Sequence, residues 1–204
     1  MPVQHVLLDA DGVIQGVSPR GEQIARARLG DRLMPVLEDF WVAEQAALVG
    51  EADVVDVLAE ALGRHDLGHL DVAELYERVW LDNSVDAQSI RLVHRLREAG
   101  YSVHLGTNQT ARRAAHMRQD LGYDDLFEVG VYSCEIGVAK PDPRYFERSV
   151  ELIDAPADSV LFVDDRADNV EAARSVGLAG VHWHLKEGHA ALLERLAEHG
   201  VAVA

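Results

Sequence analysis

The sequence, 204 residues long, is poor in lysine, cysteine and proline. Lysine occurs only at Lys140 and Lys186, and every other basic residue is arginine. The single cysteine, Cys134, excludes an internal disulfide and fits a reducing compartment. Proline occurs six times, with no Pro- or Ser-rich tract, which argues against an interdomain linker. No apolar run approaches the ~20 residues that span a bilayer. The opening MPVQHVLLDADG lacks the basic segment of a signal peptide, so a cytoplasmic protein is expected. Positive charge is scarce as well. Nineteen Lys and Arg face 35 Asp and Glu, and a net charge of −16 argues against nucleic acid or an anionic membrane as a partner.

What the chain does have is 48% hydrophobic residues, enough for a sizeable core. Five short apolar runs read as strands buried on both faces: His5–Leu8, Tyr101–Leu105, Phe127–Val131, Val160–Val163 and Gly180–Trp183. Helical patterns separate the last four and flank them: Ser89–Ala99, Ala111–Leu121, Pro143–Ile153, Ala167–Val176 and Gly188–His199. Most stop at a glycine, and Asp142-Pro143 reads as a cap followed by a helix start. This alternation predicts an α/β fold with a doubly wound parallel sheet. Residues 17–86 break the alternation. They show helical patterns at Gly21–Leu29, Pro35–Leu48 and Glu51–Leu62, and a cap-like start at Asp71, but no convincing strand. The expected organisation is a core of residues 1–16 and 87–204 with a helical cap over residues 17–86.

In parallel α/β sheets, ligands bind beyond the carboxyl ends of the strands. After the first strand come Asp9 and Asp11. After the second comes Gly106-Thr107-Asn108-Gln109. Lys140-Pro141 lies beyond the third, and Asp164-Asp165-Arg166-Ala167-Asp168-Asn169 follows the fourth. Two like charges ~4 Å apart repel by about 4 kcal/mol at an effective dielectric near 20. One lysine cannot balance so many acids, whereas a hard divalent cation with oxygen ligands can. Magnesium, held by carboxylates together with a substrate phosphate, is the expected cofactor.

In this order DADGV, LGTNQ, KPDP and FVDDRADN resemble the four motifs of the haloacid dehalogenase superfamily, in its capped, phosphatase-like subgroup. The resemblance implies a Rossmann-like core and a Mg-dependent phosphatase of a small phosphorylated metabolite. It assigns Asp9 as the nucleophile that becomes an aspartyl-phosphate and Asp11 as general acid and base. Thr107, helped by the Asn108 amide, would hold the phosphoryl group, and Lys140 would neutralise charge on it and on Asp9. The metal set would be Asp9, the backbone carbonyl of Asp11, and Asp165, with Asp164 as an alternate ligand; Asn169 would support it. Asp11 argues against a dehalogenase. The absence of lysine from residues 17–86 argues against a phosphonate-cleaving relative. A phosphomutase on a sugar phosphate uses the same two acids and stays open, as does a phosphate-binding module without turnover. A receiver-like signalling module is disfavoured, because there the adjacent acidic pair follows the first strand and the acceptor Asp the third, whereas here the pair Asp164-Asp165 comes late and a helical insert interrupts the chain. Oligomeric state is open.

Other features read as structural. His182 and His184 would share a strand face, and His65 and His69 would sit on a surface loop beside Gly63 and Gly68. Trp41 and Trp80 are expected in the core of the insert, and Cys134 as a packed or half-exposed thiol.

Overall fold

The computed structural model describes residues 2–203. Strand β1 (His5–Leu8) leads into a short strand β2 (Gln15–Val17). Four helices follow: α1 (Pro19–Leu29), α2 (Leu33–Leu48), α3 (Val54–Arg64) and α4 (Val72–Trp80). The chain returns through β3 (Asn83–Val85), α5 (Ala87–Glu98), β4 (Ser102–Thr107), α6 (Ala111–Gln119) and the single turn α7 (Tyr123–Leu126). Strand β5 (Gly130–Tyr132), the turn α8 (Ser133–Ile136), α9 (Pro143–Ile153), β6 (Val160–Asp164), α10 (Ala167–Ser175), β7 (Ala179–His182) and α11 (His189–Glu198) complete it.

The main sheet has the order β5-β4-β1-β6-β7, and every pairing in it is parallel. Side chains alternate across it. Val6, Leu8, Val103, Leu105, Leu161 and Val163 face one apolar cluster, with Leu92 and Leu96 of α5, Met117 of α6 and Leu196 of α11. Leu7 and Phe162 face the other, with Tyr145 and Phe146 of α9. Burial on both faces explains why these strands read as unbroken apolar runs. The expected α/β doubly wound fold is what the chain forms.

Helices α1–α4 close around a third apolar cluster, centred on Phe40, Leu58, Leu62 and Tyr76. Asp71 caps α4 as its sequence suggests, accepting from the Glu74 N–H at 3.0 Å. The expectation of no strand between residues 17 and 86 is corrected. Strands β2 and β3 form an antiparallel ribbon that closes the base of the helical insert, pairing Gln15 with Val85 and Val17 with Asn83. Strand β5 begins at Gly130 rather than at Phe127, which instead packs edge-on against Tyr123, 5.6 Å between ring centres.

Trp80 stacks on Tyr76 within the insert as expected, whereas Trp41 is half exposed. Gly63 lies inside α3, so His65 ends a helix rather than sitting in a loop, and it pairs with Asp39 at 3.0 Å. Cys134 is half-buried. Among the described residues no helix is long and apolar enough to cross a membrane.

Candidate active site

Sheet register builds the site. Leu8 pairs with Leu105 on one side and with Val163 on the other. The next residues, Asp9, Gly106 and Asp164, therefore stand level across three adjacent strand ends, where the strand order reverses. The Lys140 ammonium reaches all three: Asp9 Oδ1 at 2.8 Å, Asp164 Oδ2 at 2.7 Å and the Gly106 carbonyl at 2.9 Å. That uses its three N–H donors. The Asn108 carboxamide holds the lysine in place by its backbone, accepting from Lys140 N–H and donating to Lys140 C=O, each at 2.9 Å. The side chain of Asn108 is thus committed to the lysine, which leaves its backbone N–H as the group it can offer a ligand.

Asp164 is fully buried. Besides Lys140 it accepts two bonds of 3.0 Å from Asn169 Nδ2 and one of 2.8 Å from the Arg166 N–H. The adjacent Asp165 is half-buried, and its carboxylate accepts no hydrogen bond among the described residues. Carboxylate oxygens of Asp9, Asp164 and Asp165 lie within 4.8 Å of one another. Burial first, and then Asp164, push the Asp165 carboxyl above its ordinary range. Burial likewise lifts Asp9 to about 7; Lys140 opposes the shift and Asp164 adds to it. Three acids against one ammonium leave two negative charges in excess.

Three observations fit this set to a hard cation: the unsaturated Asp165 carboxylate, the buried Asn169 Oδ1 with no hydrogen-bond partner, and Gly12. Gly12 has φ +85°, and a Cβ there would stand 2.6 Å from the Asp165 carboxyl carbon. Only glycine lets the chain after Asp11 pass this close to that carboxylate.

Asp11 lies to one side, and its carboxylate is not part of the three-acid group. It accepts from Gln109 Nε2 at 2.8 Å, Arg113 at 2.9 Å and Gln15 Nε2 at 3.0 Å. Displacement of water by the surrounding protein works to raise its pKa, but Arg113 and these hydrogen bonds hold the carboxyl below the usual range. Thr107, 1% exposed at the end of β4, accepts from the same Gln109 amide at 3.1 Å. The Asp165 carbonyl accepts from His182 Nε2 at 2.9 Å, and His184 caps the turn after β7, so the two histidines do not act together.

Sequence reading brought together Asp9, Lys140, Asp164 and Asp165, with Asp11 and Thr107 beside them. It placed Gln109 at the strand end without a role, and missed Gln15, Arg113 and Glu44. Arg113 did leave a signal: it stands in the first turn of α6, where the helix dipole disfavours a cation unless an anion is near. Glu44, on α2, left none. It is half-buried beside Arg113 and Asp11. Burial pushes its carboxyl up to about 7, with Arg113 opposing and Asp11 adding.

Residues 3–177 match the family model of haloacid dehalogenase-like hydrolases. The chain is 30% identical over 190 residues to Phosphatase MT3486 of Mycobacterium tuberculosis, covering 87% of this chain and 86% of that one. It is 35% identical over 99 residues to the sesquiterpene phosphatase astK of Aspergillus oryzae; the match covers 48% of this chain and only 50% of that protein's length. Its fold matches that of the HAD family enzyme BT-2542 from Bacteroides thetaiotaomicron, solved in complex with magnesium and inorganic phosphate. The TM-score is 0.71 at 19% identity, over 88% of this chain and 93% of that one. The chain belongs to the haloacid dehalogenase-like hydrolase family.

Proposed function

We propose that this hydrolase is a magnesium-dependent phosphatase of a small phosphorylated metabolite, working through an aspartyl-phosphate on Asp9. The observation that carries the reading is the Asp9–Lys140–Asp164 alignment with Asp165 left unsaturated beside it. The two named phosphatase relatives and the phosphate-bound structural neighbour support it.

Asp9, Asp165 and the Asp11 carbonyl would hold Mg²⁺, with Asp164 and Asn169 alongside. The ion supplies charge neutralisation for the acids and for the phosphoryl oxygens. In the first displacement an Asp9 oxygen bonds to phosphorus and the ester oxygen leaves. Lys140 keeps Asp9 oriented and offsets charge on it. Thr107 and the Asn108 N–H grip the phosphoryl oxygens. The leaving oxygen takes its proton from Asp11, which must carry one at that moment; the three donors around its carboxylate oppose this, so the strength of their grip tunes the step. In the second displacement Asp11, ionised again, takes a proton from water as that water attacks phosphorus and frees Asp9.

The test is hydrolysis of an aryl phosphate by the purified chain. Turnover should require added Mg²⁺, stop with chelator and vanish in Asp9→Asn. Activity that survives both treatments would refute the reading.

A further inference from the structure

Helices α5 and α11 frame an open cavity of about 310 Å³, the small end of the range that takes organic ligands. Gln88, Arg91, Leu92 and Arg95 of α5 form one wall, and His189 and Leu193 of α11 the other. None of these residues takes part in the strand-end site. No carboxylate lines the cavity, in a chain whose 35 Asp and Glu far outnumber its 19 Lys and Arg.

The positive groups of the wall are not answered by acids of the chain. Arg91 is exposed and forms no hydrogen bond or ion pair among the described residues. Elsewhere arginines sit on carboxylates, as Arg26 does on Glu22, Arg112 on Asp53 and Arg118 on Asp124. Arg95, one turn beyond Arg91, donates from Nη2 to the Val203 carbonyl at 3.3 Å. Two cations four residues apart on one helix repel each other, and an anion between them would relieve that repulsion. Helix α11 begins at His189 with no side chain capping its first turn, so the positive end of its dipole adds to the same side.

One acid does touch the wall, and it is committed. Asp86 Oδ1 caps α5, accepting from the Gln88 and Ser89 N–H groups at 2.9 and 2.8 Å, and lies 3.3 Å from His189 Nε2. The same His189 nitrogen lies 3.0 Å from Ser89 Oγ, which donates to the Val13 carbonyl at 2.7 Å. His189 is thereby fixed, and its Nδ1 makes no hydrogen bond among the described residues. The cavity wall is also braced against the turn that follows Asp11.

This chemistry selects an occupant. A cation would meet two guanidinium groups. A neutral molecule would leave their charge unanswered. An inorganic ion alone would leave Leu92 and Leu193 uncovered. We infer that the cavity between α5 and α11 binds a small organic oxyanion, a carboxylate or phosphate monoester with an apolar body. Its head group would lie between Arg91 and Arg95, and its body against the two leucines. The acidic field of the whole chain opposes any anion at long range, so capture rests on these local groups. The inference is independent of the chemistry proposed for Asp9.

The experiment titrates the full chain, with Mg²⁺ present, with phenylphosphonate, with benzoate and with benzylammonium, a cation of similar size. Backbone amide resonances are followed by NMR. At least one of the two anions should shift the amides of residues 88–95 and 189–193 saturably at about millimolar concentration, and benzylammonium should not. Whichever anion saturates first identifies the head group. Any phenylphosphonate that reaches the strand-end site shifts a separate set of amides, around Asp9 and Thr107. Arg91→Glu, checked for an unchanged melting temperature, should weaken binding between the two helices by about tenfold or more, the scale of one hydrogen bond to a charged group. No saturable shift in either helix up to about 20 mM of both anions would overturn the inference. So would equal shifts with benzylammonium, or wild-type binding by Arg91→Glu.

Discussion

Replacing Gly12 by alanine places a methyl group 2.6 Å from both the carboxyl carbon and Oδ2 of Asp165, and 2.9 Å from its Cβ. None of those atoms can tolerate the approach, so either Asp165 swings away or the Gly12 turn opens. The backbone penalty is moderate. A left-handed non-glycine residue costs roughly 1–2 kcal/mol, and the stiffer unfolded chain returns about 0.4–1 kcal/mol of it. The net cost is at most about 1.6 kcal/mol, and at about 2–4 °C per kcal/mol for a chain of this size the melting temperature should fall by no more than about 6 °C. The effect on chemistry is much larger, because a displacement of about 1 Å in a reacting constellation can cost 10²-fold. In an aryl phosphate assay Gly12→Ala should lose about 100-fold in kcat/KM, and half-maximal activity should require more Mg²⁺. A variant that melts slightly lower yet keeps wild-type turnover and the same Mg²⁺ dependence would refute the claim that Gly12 exists to let Asp165 approach.

Two further outcomes are expected. His104 is 2% exposed on β4, stacked on His5, and burial lowers its pKa to about 4. Above pH ~6.5 it is neutral in both states. As pH falls from there toward 4, the unfolded chain binds a proton that the fold refuses, so stability drops by about 3 kcal/mol in all. Urea midpoints should show a shallower loss between pH 6.5 and 5 for His104→Phe than for the wild type, and equal slopes would contradict the assignment. Asn108→Ala removes both hydrogen bonds that fix the Lys140 backbone; turnover should fall by about 10²-fold with the fold retained, and an unaffected kcat would show that the lysine is positioned by other contacts.

The fold was legible where local chemistry is strong. Helix α9 runs over the range its sequence announces, because Asp142 caps it and Pro143 occupies its first turn. The ribbon β2–β3 was not legible. Its strands have three residues each, are largely polar, and pair across the whole insert. Phe127 reads as strand by propensity, but the ring of Tyr123 draws it into the core below β5. At the site, acids following apolar runs could be read directly, since sheet register alone brings Asp9 level with Asp164. Arg113 and Glu44 come from helices, and which helix face meets Asp11 depends on how α6 and α2 dock. No single-chain periodicity encodes that docking. Trp41 shows the same limit: helical spacing marks it as apolar, while packing leaves it half exposed.

The most direct measurement of the central claim is a rapid acid quench of the enzyme during turnover, followed by mass spectrometry of the peptide that carries Asp9. A phosphoryl group on the Asp9 side chain, formed with Mg²⁺ present and missing both with chelator and in Asp9→Asn, is the expected result. Steady hydrolysis with no phosphoryl group trapped on Asp9, or with one trapped on a different residue, would contradict the account.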